Sequence, residues 1–157
     1  RSMQVRFMEE NDPPFKILVP GKVFRSENED ATHSWSFNQI EGLVVGEGVS
    51  MADLKGTLLQ IVKKQLGEDT KIRFRASYFP YTEPSVEVDA RYRGKWLELG
   101  GAGMVHPQVL RNGGIDPEKY SGFAFGWGVE RIAAIKYGIT DLRLLWRPNF
   151  GYLEQFK

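Results

Sequence analysis

Three residues that could bind a ligand alternate along a segment with the composition of a β-strand. They are Phe37, Gln39 and Glu41. Alternate residues of a strand share one face, so a ring, an amide and a carboxylate are expected side by side. A carboxylate and an amide together suit an ammonium group, because each of its N–H donors needs a partner once water is excluded. The alternative is that these residues form the solvent-facing side of a sheet. The pattern therefore indicates either an amine-binding surface or an ordinary polar face.

Two arginines on distant segments, Arg25 and Arg131, have the type and position to bind a polyanion. Arg131 follows a glycine cluster and lies near the start of a predicted helix, where backbone can approach a ligand and the helix dipole favours an anion. Guanidinium groups make bidentate, charge-assisted hydrogen bonds to phosphate. We expect the pair to hold a triphosphate from two sides. The alternative is that each arginine is a solvated surface residue.

An aromatic, proline-stiffened segment spans residues 78–83 (YFPYTE). Beside an ammonium site, Phe79 and Tyr81 would wall a pocket for an aromatic side chain, because ring contacts add about 0.5–1.5 kcal/mol beyond buried area. The alternative is the edge of a hydrophobic core. The glycine-rich run at 122–128 (GFAFGWG) resembles a phosphate-binding loop only superficially, since it lacks the lysine and the spacing of either common fingerprint.

Composition limits the other functions open to the chain. Its 157 residues predict one domain, 1–157, and 21 basic against 20 acidic residues exclude a polybasic nucleic-acid arm. The absence of cysteine excludes disulfides, a thiolate metal site and a cysteine nucleophile, and two histidines are too few for a zinc cluster without carboxylates. No apolar run is long enough to cross a membrane and no secretory signal opens the sequence. We therefore expect a soluble, cytoplasmic protein.

Strand patterns dominate the elements that must position these residues, so the predicted fold class is α+β, an antiparallel sheet flanked by helices. A turn at Pro20 and Gly21 is expected to separate the first two strands. The clearest helix covers 51–66, where Ser50 and Asp53 form a capping box and Gly67 ends it. Shorter helices are predicted at 107–113 and 129–137. The predicted strands are 15–19, 22–27, 36–45, 71–78, 86–93 and 95–99.

Five segments, taken together, resemble the catalytic core of a class II aminoacyl-tRNA synthetase, and most closely the α subunit of bacterial phenylalanyl-tRNA synthetases. Residues 24–42 are similar to motif 2 of that family, through FRSE at 24–27, DATH at 30–33 and FNQIEG at 37–42. Residues 120–131 (YSGFAFGWGVER) resemble its motif 3. Residues 73–84 and 96–107 are similar to its central strands. The resemblance covers about residues 4–143 in the family's order, and it implies the class II antiparallel sheet.

The resemblance implies an ATP site. Arg25 would hold the α-phosphate of ATP and Arg131 the γ end of the bent triphosphate, and these two are the implied catalytic residues. Phe37 would stack on adenine. Glu27 and His33 would lie nearby, on the motif 2 strand and loop.

The resemblance also implies a phenylalanine site. Gln39 and Glu41 would take the amino group of L-phenylalanine, and Phe79 and Tyr81 would contact its ring. Ala124 would form the floor of the pocket and set the size of the accepted side chain.

The implied enzyme is a phenylalanine–tRNA ligase, which forms phenylalanyl-adenylate from ATP and L-phenylalanine and transfers phenylalanine to tRNA(Phe). Mg²⁺ is the implied cofactor, with Glu98 as a metal contact. The implied partner is a β subunit, in an α2β2 heterotetramer. The alternatives are a paralogue that binds an amino acid or a nucleotide, or regulates, without aminoacylation, and a plain interaction domain.

The sequence departs from the family pattern at several positions. Asn38 stands where the family usually has His, Ala102 where it has Cys, Trp127 for Met and Tyr81 for Phe. We expect Asn38 to point away from Gln39 and to affect ATP or tRNA contacts, and Trp127 and Tyr81 to tighten or reshape the pocket. The family's coiled-coil arm and motif 1 are not recognisable here. The sequence is therefore expected to be a core fragment or a truncated relative.

Overall fold

Six antiparallel strands form one sheet in the order β1-β2-β6-β5-β4-β3, in a computed structural model that describes residues 2–26, 35–92, 94–146 and 150–154. This is the antiparallel sheet with flanking helices that the sequence predicts. The strands are β1 (Phe15–Phe24), β2 (Ser36–Gly46), β3 (Lys71–Phe79), β4 (Thr82–Tyr92), β5 (Lys95–Val105) and β6 (Ser121–Gly128). The α-helices are α1 (Ser2–Glu10), α2 (Met51–Leu66), α3 (Pro107–Asn112), α4 (Val129–Tyr137) and α5 (Phe150–Glu154), and a short 3₁₀ helix covers Leu142–Leu145.

The first strand runs straight through Pro20 and Gly21, so the predicted turn at this point is wrong. Pro20 pairs with Ile40 and Gly21 with Gln39 in an unbroken antiparallel register. Strand β1 is an edge of the sheet, where the N–H that proline lacks would face away from the neighbouring strand and costs no ladder hydrogen bond. A proline in a strand pattern therefore marked an edge rather than a turn.

Helix α2 is the predicted amphipathic helix and has the predicted ends. The Ser50 hydroxyl accepts from the Asp53 backbone N–H, while the Asp53 carboxylate accepts from the Ser50 backbone N–H, which completes the capping box. Its apolar stripe, Leu54, Leu58 and Val62, is fully buried against one face of the sheet. Burying each of these side chains stabilises the fold by about 1.5–3 kcal/mol.

The two faces of the sheet have different covers. On the face that we call the helix face, α2 and α4 pack on the even-numbered side of β4 and the odd-numbered side of β6, including Val88, Phe123 and Phe125. On the opposite face, α1 and α3 cover one end only, where a second cluster forms. Its buried members are Met8, Leu43, Val45, Val105, Leu110 and Ile115. Helix α1 was not predicted. It contributes the buried side chain of Met8 to this cluster.

Strand β5 continues beyond Leu99, the predicted end, through the glycines at 100, 101 and 103. Its register with β4 shifts between Val88 and Asp89, since Val88 pairs with Gly100 and Asp89 pairs with Glu98. The extra residue, Leu99, is 2% exposed and belongs to the core on the helix face. This β-bulge re-aims the strand, so Glu98 lies on the same face as Asp89.

The remaining predicted helices are confirmed. Helix α3 begins after His106, whose Nδ1 accepts from the Gln108 backbone N–H at 3.0 Å, and it starts with a proline. Helix α4 ends at Tyr137, and Gly138 follows with the left-handed φ of 70° that favours glycine. No helix in the described part of the chain has the length and apolar character needed to cross a membrane.

Candidate functional site

Among the described residues, no helix covers half of one sheet face, and the candidate residues lie on that half. On β2, the alternation that buries Leu43 and Val45 under α1 and α3 brings Phe37, Gln39 and Glu41 to the same face, beyond the cover of those helices. We call this open half the site face. A polar row on an otherwise apolar strand therefore marks the place where the helical cover stops.

Gln39 and Glu41 lie beside each other on β2, next to a residue of β6 that has no side chain, Gly126. The Gln39 amide donates to the Glu41 carboxylate, with Nε2 and Oε1 3.1 Å apart. Gly126 is the β6 partner of Glu41, and a Cβ added there would collide with Nε2 of Gln39. A larger residue at 126 would therefore have to displace the Gln39 amide from its place over the backbone. The pair therefore places a carboxylate and an amide side by side on the site face.

Phe79 reaches the site face from the end of β3, the edge strand opposite β1. Its backbone N–H donates to Ser85 Oγ at 3.1 Å, and the ring lies over Gly101, where an added Cβ would be 2.7 Å from Phe79 Cζ. Gly101 pairs with Gly126 on the neighbouring strand. Adjacent strands are about 4.8 Å apart, so the Phe79 ring and the Gln39 amide lie over neighbouring backbone.

Ala124 and Tyr81 occupy different parts of the surroundings. Ala124 lies two residues before Gly126 on the site face of β6 and packs against the cluster under α1 and α3, so it borders the open half. Tyr81 lies in the turn between β3 and β4, where its carbonyl accepts from the His106 backbone N–H at 2.9 Å, and it is 46% exposed. Their predicted contacts with a ligand ring remain predictions.

The two arginines predicted to bind one polyanion both lie near Phe37. The guanidinium carbon of Arg25 is 4.7 Å from the ring centroid, a cation–π contact. Gly128 lies between the ring and the second arginine, since an added Cβ there would be 3.8 Å from Phe37 Cδ2 and 3.9 Å from Arg131 Cβ. Arg25 directly follows the end of β1, and Arg131 lies in the first turn of α4. Residues 106 positions apart thus share one aromatic platform.

A buried carboxylate fixes helix α4 to strand β2 next to this platform. Glu130 is only 7% exposed, and its carboxylate accepts from the backbone N–H of Asn38 at 2.9 and 3.0 Å. The Asn38 side chain also donates, from Nδ2 to Oε1 at 2.7 Å. Asn38 and Gln39 are consecutive residues of β2, so their side chains lie on opposite faces, as predicted. The contact between Asn38 and Glu130, 92 positions away in the sequence, was not predicted.

Arg131 also contacts a cluster of charged side chains on β3, β4 and β5. Its Nη1 donates to Glu98 Oε1 at 3.2 Å, and Glu98 Oε2 is 3.9 Å from Nη2 of Arg75. Arg75 in turn pairs with Glu87 on β4, with Nη1 2.8 Å from Oε2. Glu98 therefore stands between two guanidinium groups, one from α4 and one from β3.

Asp89 is the buried centre of this group. Arg75 grips it with two hydrogen bonds, Nε to Oδ2 at 2.8 Å and Nη2 to Oδ1 at 3.0 Å, and Arg73 Nε reaches Oδ2 at 2.7 Å. The Arg75 hydrogen bonds hold the pKa of the Asp89 carboxyl below its ordinary value; burial opposes this and the Arg73 hydrogen bond adds to it. The same hydrogen bond raises the pKa of Arg75. The Arg73 guanidinium also lies 4.5 Å from the Trp96 ring centroid.

The residues present fit Mg²⁺ only as a partner of phosphate. No group of three or more His, Asp or Glu side chains converges within the described ranges, so those ranges offer no complete metal cage. Mg²⁺ is commonly held by one or two carboxylates together with substrate phosphates and water. Glu98, half exposed beside Arg131, matches that single-carboxylate arrangement.

Two of the departures from the family pattern lie in the core, away from the site. Trp127 is 3% exposed and packs against Phe125 on the helix face, so the expectation that it reshapes the pocket is wrong. Ala102 is also in the core on the helix face. Neither Ala102 nor Trp127 therefore lines the site. Glu27 and His33 lie outside the described residues, so their predicted roles stay predictions.

Sequence reasoning gave no role to Arg75, Asp89 or Glu130. A signal existed for the first two, because arginines alternate along β3 and carboxylates along β4. Antiparallel pairing of such strands brings them face to face, and in the structure Arg73 pairs with Asp89 and Arg75 with Glu87. Glu130 carried no comparable signal, since its partner is 92 residues away.

Comparison with known proteins identifies the family. Residues 1–156 match the family described as tRNA synthetases class II core domain (F). The chain belongs to this family. The class II core predicted from the motifs is therefore confirmed, and so is the predicted fold class.

Relatives of this class II core are phenylalanine–tRNA ligase alpha subunits. The protein of Caldanaerobacter subterraneus subsp. tengcongensis is 54% identical over 98% of this chain and 49% of its own length. Those of Alkaliphilus oremlandii and Yersinia pestis (strain Pestoides F) are 55% and 54% identical, over 98% and 99% of this chain and 49% and 47% of their own lengths. The chain thus spans about half the length of the curated relatives it matches.

A solved structure supports the fold alone. The crystal structure of pyrrolysyl-tRNA synthetase from Desulfitobacterium hafniense is similar with a TM-score of 0.66 over 93% of this chain and 50% of that chain. Sequence identity is 19%, so the similarity is one of architecture.

Proposed function

We propose that this chain carries the catalytic core of a phenylalanine–tRNA ligase, which binds ATP and L-phenylalanine, forms phenylalanyl-adenylate and transfers phenylalanine to tRNA(Phe). One observation carries the proposal: Arg25 stacks on Phe37, Arg131 lies next to Phe37 across Gly128, and Phe37 shares a strand face with Gln39 and Glu41. A nucleotide and an amine thus have adjacent binding groups. The alpha-subunit relatives support the choice of phenylalanine, and they favour this enzyme over a binding module without aminoacylation.

In the proposed amino acid site, polar side chains bind the ammonium group of phenylalanine and apolar side chains bind its ring. Its ammonium group meets the Glu41 carboxylate and the Gln39 amide oxygen, which satisfy the N–H donors that bound substrate turns away from water. Its ring lies along Phe79 towards Ala124, with Tyr81 contributing at the β3–β4 turn. Its carboxylate then points along β2 towards Phe37 and the arginines, where the nucleotide binds.

The first step is a displacement at the α-phosphorus of ATP. A carboxylate oxygen of phenylalanine forms the new P–O bond, the bond between the α-phosphorus and the bridging oxygen breaks, and pyrophosphate leaves with the electron pair. No side chain has to move a proton in this step. Arg25 stabilises charge on the α-phosphate and Arg131 holds the γ end, so catalysis is positioning and electrostatic stabilisation.

Mg²⁺, when bound with ATP, supplies further charge neutralisation on the phosphates, and Glu98 is the residue that would contact it. In the second step a terminal ribose hydroxyl of tRNA attacks the acyl carbon of the adenylate. The ester bond forms, the bond from the acyl carbon to the phosphate oxygen breaks, AMP leaves with the electron pair, and the hydroxyl proton passes to the leaving phosphate or to water. Glu27 and His33 are proposed to contact ATP from the segment that joins β1 to β2. We place the activity in the cytoplasm, in an α2β2 complex with a β subunit.

The test is phenylalanine-dependent exchange of pyrophosphate into ATP, measured on this chain with and without a phenylalanyl-tRNA synthetase β subunit. We expect exchange that requires phenylalanine and ATP together, and tyrosine should support far less of it. Circular dichroism verifies that the protein in the assay is folded. A folded chain that exchanges no pyrophosphate in either condition would contradict the proposal and favour the binding-module alternative.

A further inference from the structure

The ladder between β2 and β6 stops just where the nucleotide side of the site begins. Its last pair is Gln39 with Gly128, after which the chain turns into α4. The next N–H along β2, that of Asn38, donates to both carboxylate oxygens of Glu130. Glu130 therefore takes the place of the missing strand partner, and the Asn38 side chain adds a third hydrogen bond to it.

The environment of Glu130 makes this contact specific. The carboxylate is buried in the first turn of α4, where the helix dipole stabilises negative charge, and the N-cap Gly128 provides no side chain of its own. Among the described residues, no arginine or lysine forms an ion pair with Glu130. Removing its donors would leave a buried charge without compensation, which is costly.

The Asn38–Glu130 clamp joins the two elements that carry the nucleotide-binding residues. Phe37 precedes Asn38 on β2 and Arg131 follows Glu130 on α4, so the clamp fixes the backbone that carries Arg131 relative to the backbone that carries Phe37. Gln39 and Glu41 lie within the ladder and are held by strand pairing instead. The nucleotide half of the site therefore depends on the clamp, whereas the amino acid half does not.

We propose that Asn38 and Glu130 are positioning residues for ATP, which set the place of Arg131 against Phe37 without touching the substrate. This inference rests on the proposed function. It gives a defined role to Asn38, one of the departures from the family pattern, because Asn38 supplies both the backbone and the side-chain donor that hold a buried carboxylate.

The test reverses the polarity of the side-chain hydrogen bond. Asn38→Asp sets two carboxylates against each other, and Glu130→Gln turns an amide towards the Asn38 donors. The double variant Asn38→Asp/Glu130→Gln restores a donor and an acceptor, with Gln Nε2 donating to the new carboxylate and Gln Oε1 accepting from the backbone N–H. We expect Asn38→Asp to raise the KM for ATP about tenfold or more. The KM for phenylalanine should change less than about twofold, and the double variant should recover most of the loss.

Controls separate this inference from the proposed function. Asn112→Asp makes the same charge change on the exposed side of α3 and should leave both KM values unchanged. An unmodified protein without exchange activity contradicts the proposed function itself. An active protein in which Asn38→Asp leaves the KM for ATP unchanged, or raises both KM values equally, overturns the clamp. So does a double variant no better than Asn38→Asp.

A second measurement keeps the inference decidable if Asn38→Asp folds poorly. In Glu130→Ala the backbone N–H of Asn38 loses its acceptor. We expect the hydrogen-exchange protection of that amide to fall about tenfold or more, while the Glu41 amide within the strand keeps its protection. Unchanged protection at Asn38 would overturn the inference.

Discussion

Two buried carboxylates stand on opposite flanks of the site face, and they are compensated in different ways. Asp89, on the β3–β5 flank, is 2% exposed and is gripped by the guanidinium groups of Arg73 and Arg75. Glu130, on the β2–α4 flank, is 7% exposed and is held by the neutral donors of Asn38. One flank balances charge with charge, and the other satisfies a charge with hydrogen bonds alone.

The difference matters for what each flank can offer a ligand. On the Asp89 flank, the cations are already occupied by carboxylates from β4 and β5. On the Glu130 flank, no cation of the described residues pairs with the carboxylate. Within the same residues, Arg25 pairs with no carboxylate and Arg131 pairs with the half-exposed Glu98 alone. The β2–α4 flank therefore has guanidinium groups available for phosphate, and the β3–β5 flank acts as an electrostatic support.

The largest expected effect comes from Arg25→Ala, which removes a guanidinium group from the β2–α4 flank and leaves the Asn38–Glu130 clamp intact. We expect pyrophosphate exchange to fall about a hundredfold or more, because a donor aimed at developing charge is lost. Phenylalanine affinity should change little, and calorimetric titration of the amino acid measures it. Arg111→Ala on α3 is the matched control. An equal loss of phenylalanine affinity would contradict the assignment of Arg25 to the α-phosphate.

The next effect is on stability at the other flank. Asp89→Asn removes a charged acceptor from two arginines, and we expect the free energy of unfolding at pH 7 to fall by about 2 kcal/mol. Since the pKa of Asp89 is depressed in the folded state, its stabilisation is fully present above the unfolded value of about 3.9 and is lost as the pH falls through the folded pKa. Urea denaturation should show a constant difference between the two proteins above about pH 4, and the two should converge as the pH falls further. Asp69→Asn, in an exposed turn, is the control, and a difference that grows on acidification would refute the argument.

A matched substitution on the β2–α4 flank sharpens the contrast. Glu130→Gln is the same carboxylate-to-amide change, but it removes no ion pair with a described residue, so we expect a loss of only about 1 kcal/mol in unfolding free energy. Its larger consequence should be the KM for ATP. Denaturation of both variants under identical conditions makes the comparison. A greater loss at Glu130 than at Asp89 would show that hydrogen bonds rather than ion pairs dominate these flanks.

The smallest expected effect on stability lies between the flanks, at Ala124. Ala124→Gly removes one methyl group from the border of the open half and should cost about 0.5–1 kcal/mol. It should admit para-substituted phenylalanines in the exchange assay, because the pocket floor drops. Ala102→Gly, the same change on the helix face, should destabilise without widening the substrate range. An unchanged range for Ala124→Gly would remove Ala124 from the pocket floor.

Local patterns in the sequence predicted much of this molecule. The capping box at Ser50 and Asp53 and the alternation in β2 depend on neighbours within a few residues, and both predictions are confirmed. The predicted turn at Pro20 failed because proline has the same local effect in a turn and on a sheet edge, and only the strand order distinguishes the two cases.

What the sequence could not supply is the long-range part of the site. The register shift that turns Glu98 towards Asp89 depends on how β5 packs against the core, which the glycines of β5 do not reveal. The Asn38–Glu130 contact joins residues 92 positions apart, and a single sequence carries no signal for it. Residue types therefore predicted the chemistry, whereas the supports that position it required the structure.

The most direct test of the two-arginine nucleotide site is a crystal structure of the chain with ATP and phenylalaninol, an analogue that lacks the reacting carboxylate. We predict adenine on the Phe37 ring, the triphosphate held by both Arg25 and Arg131, and the ammonium group against Gln39 and Glu41. A nucleotide bound away from Phe37, or one contacted by only one of the two arginines, would contradict this prediction.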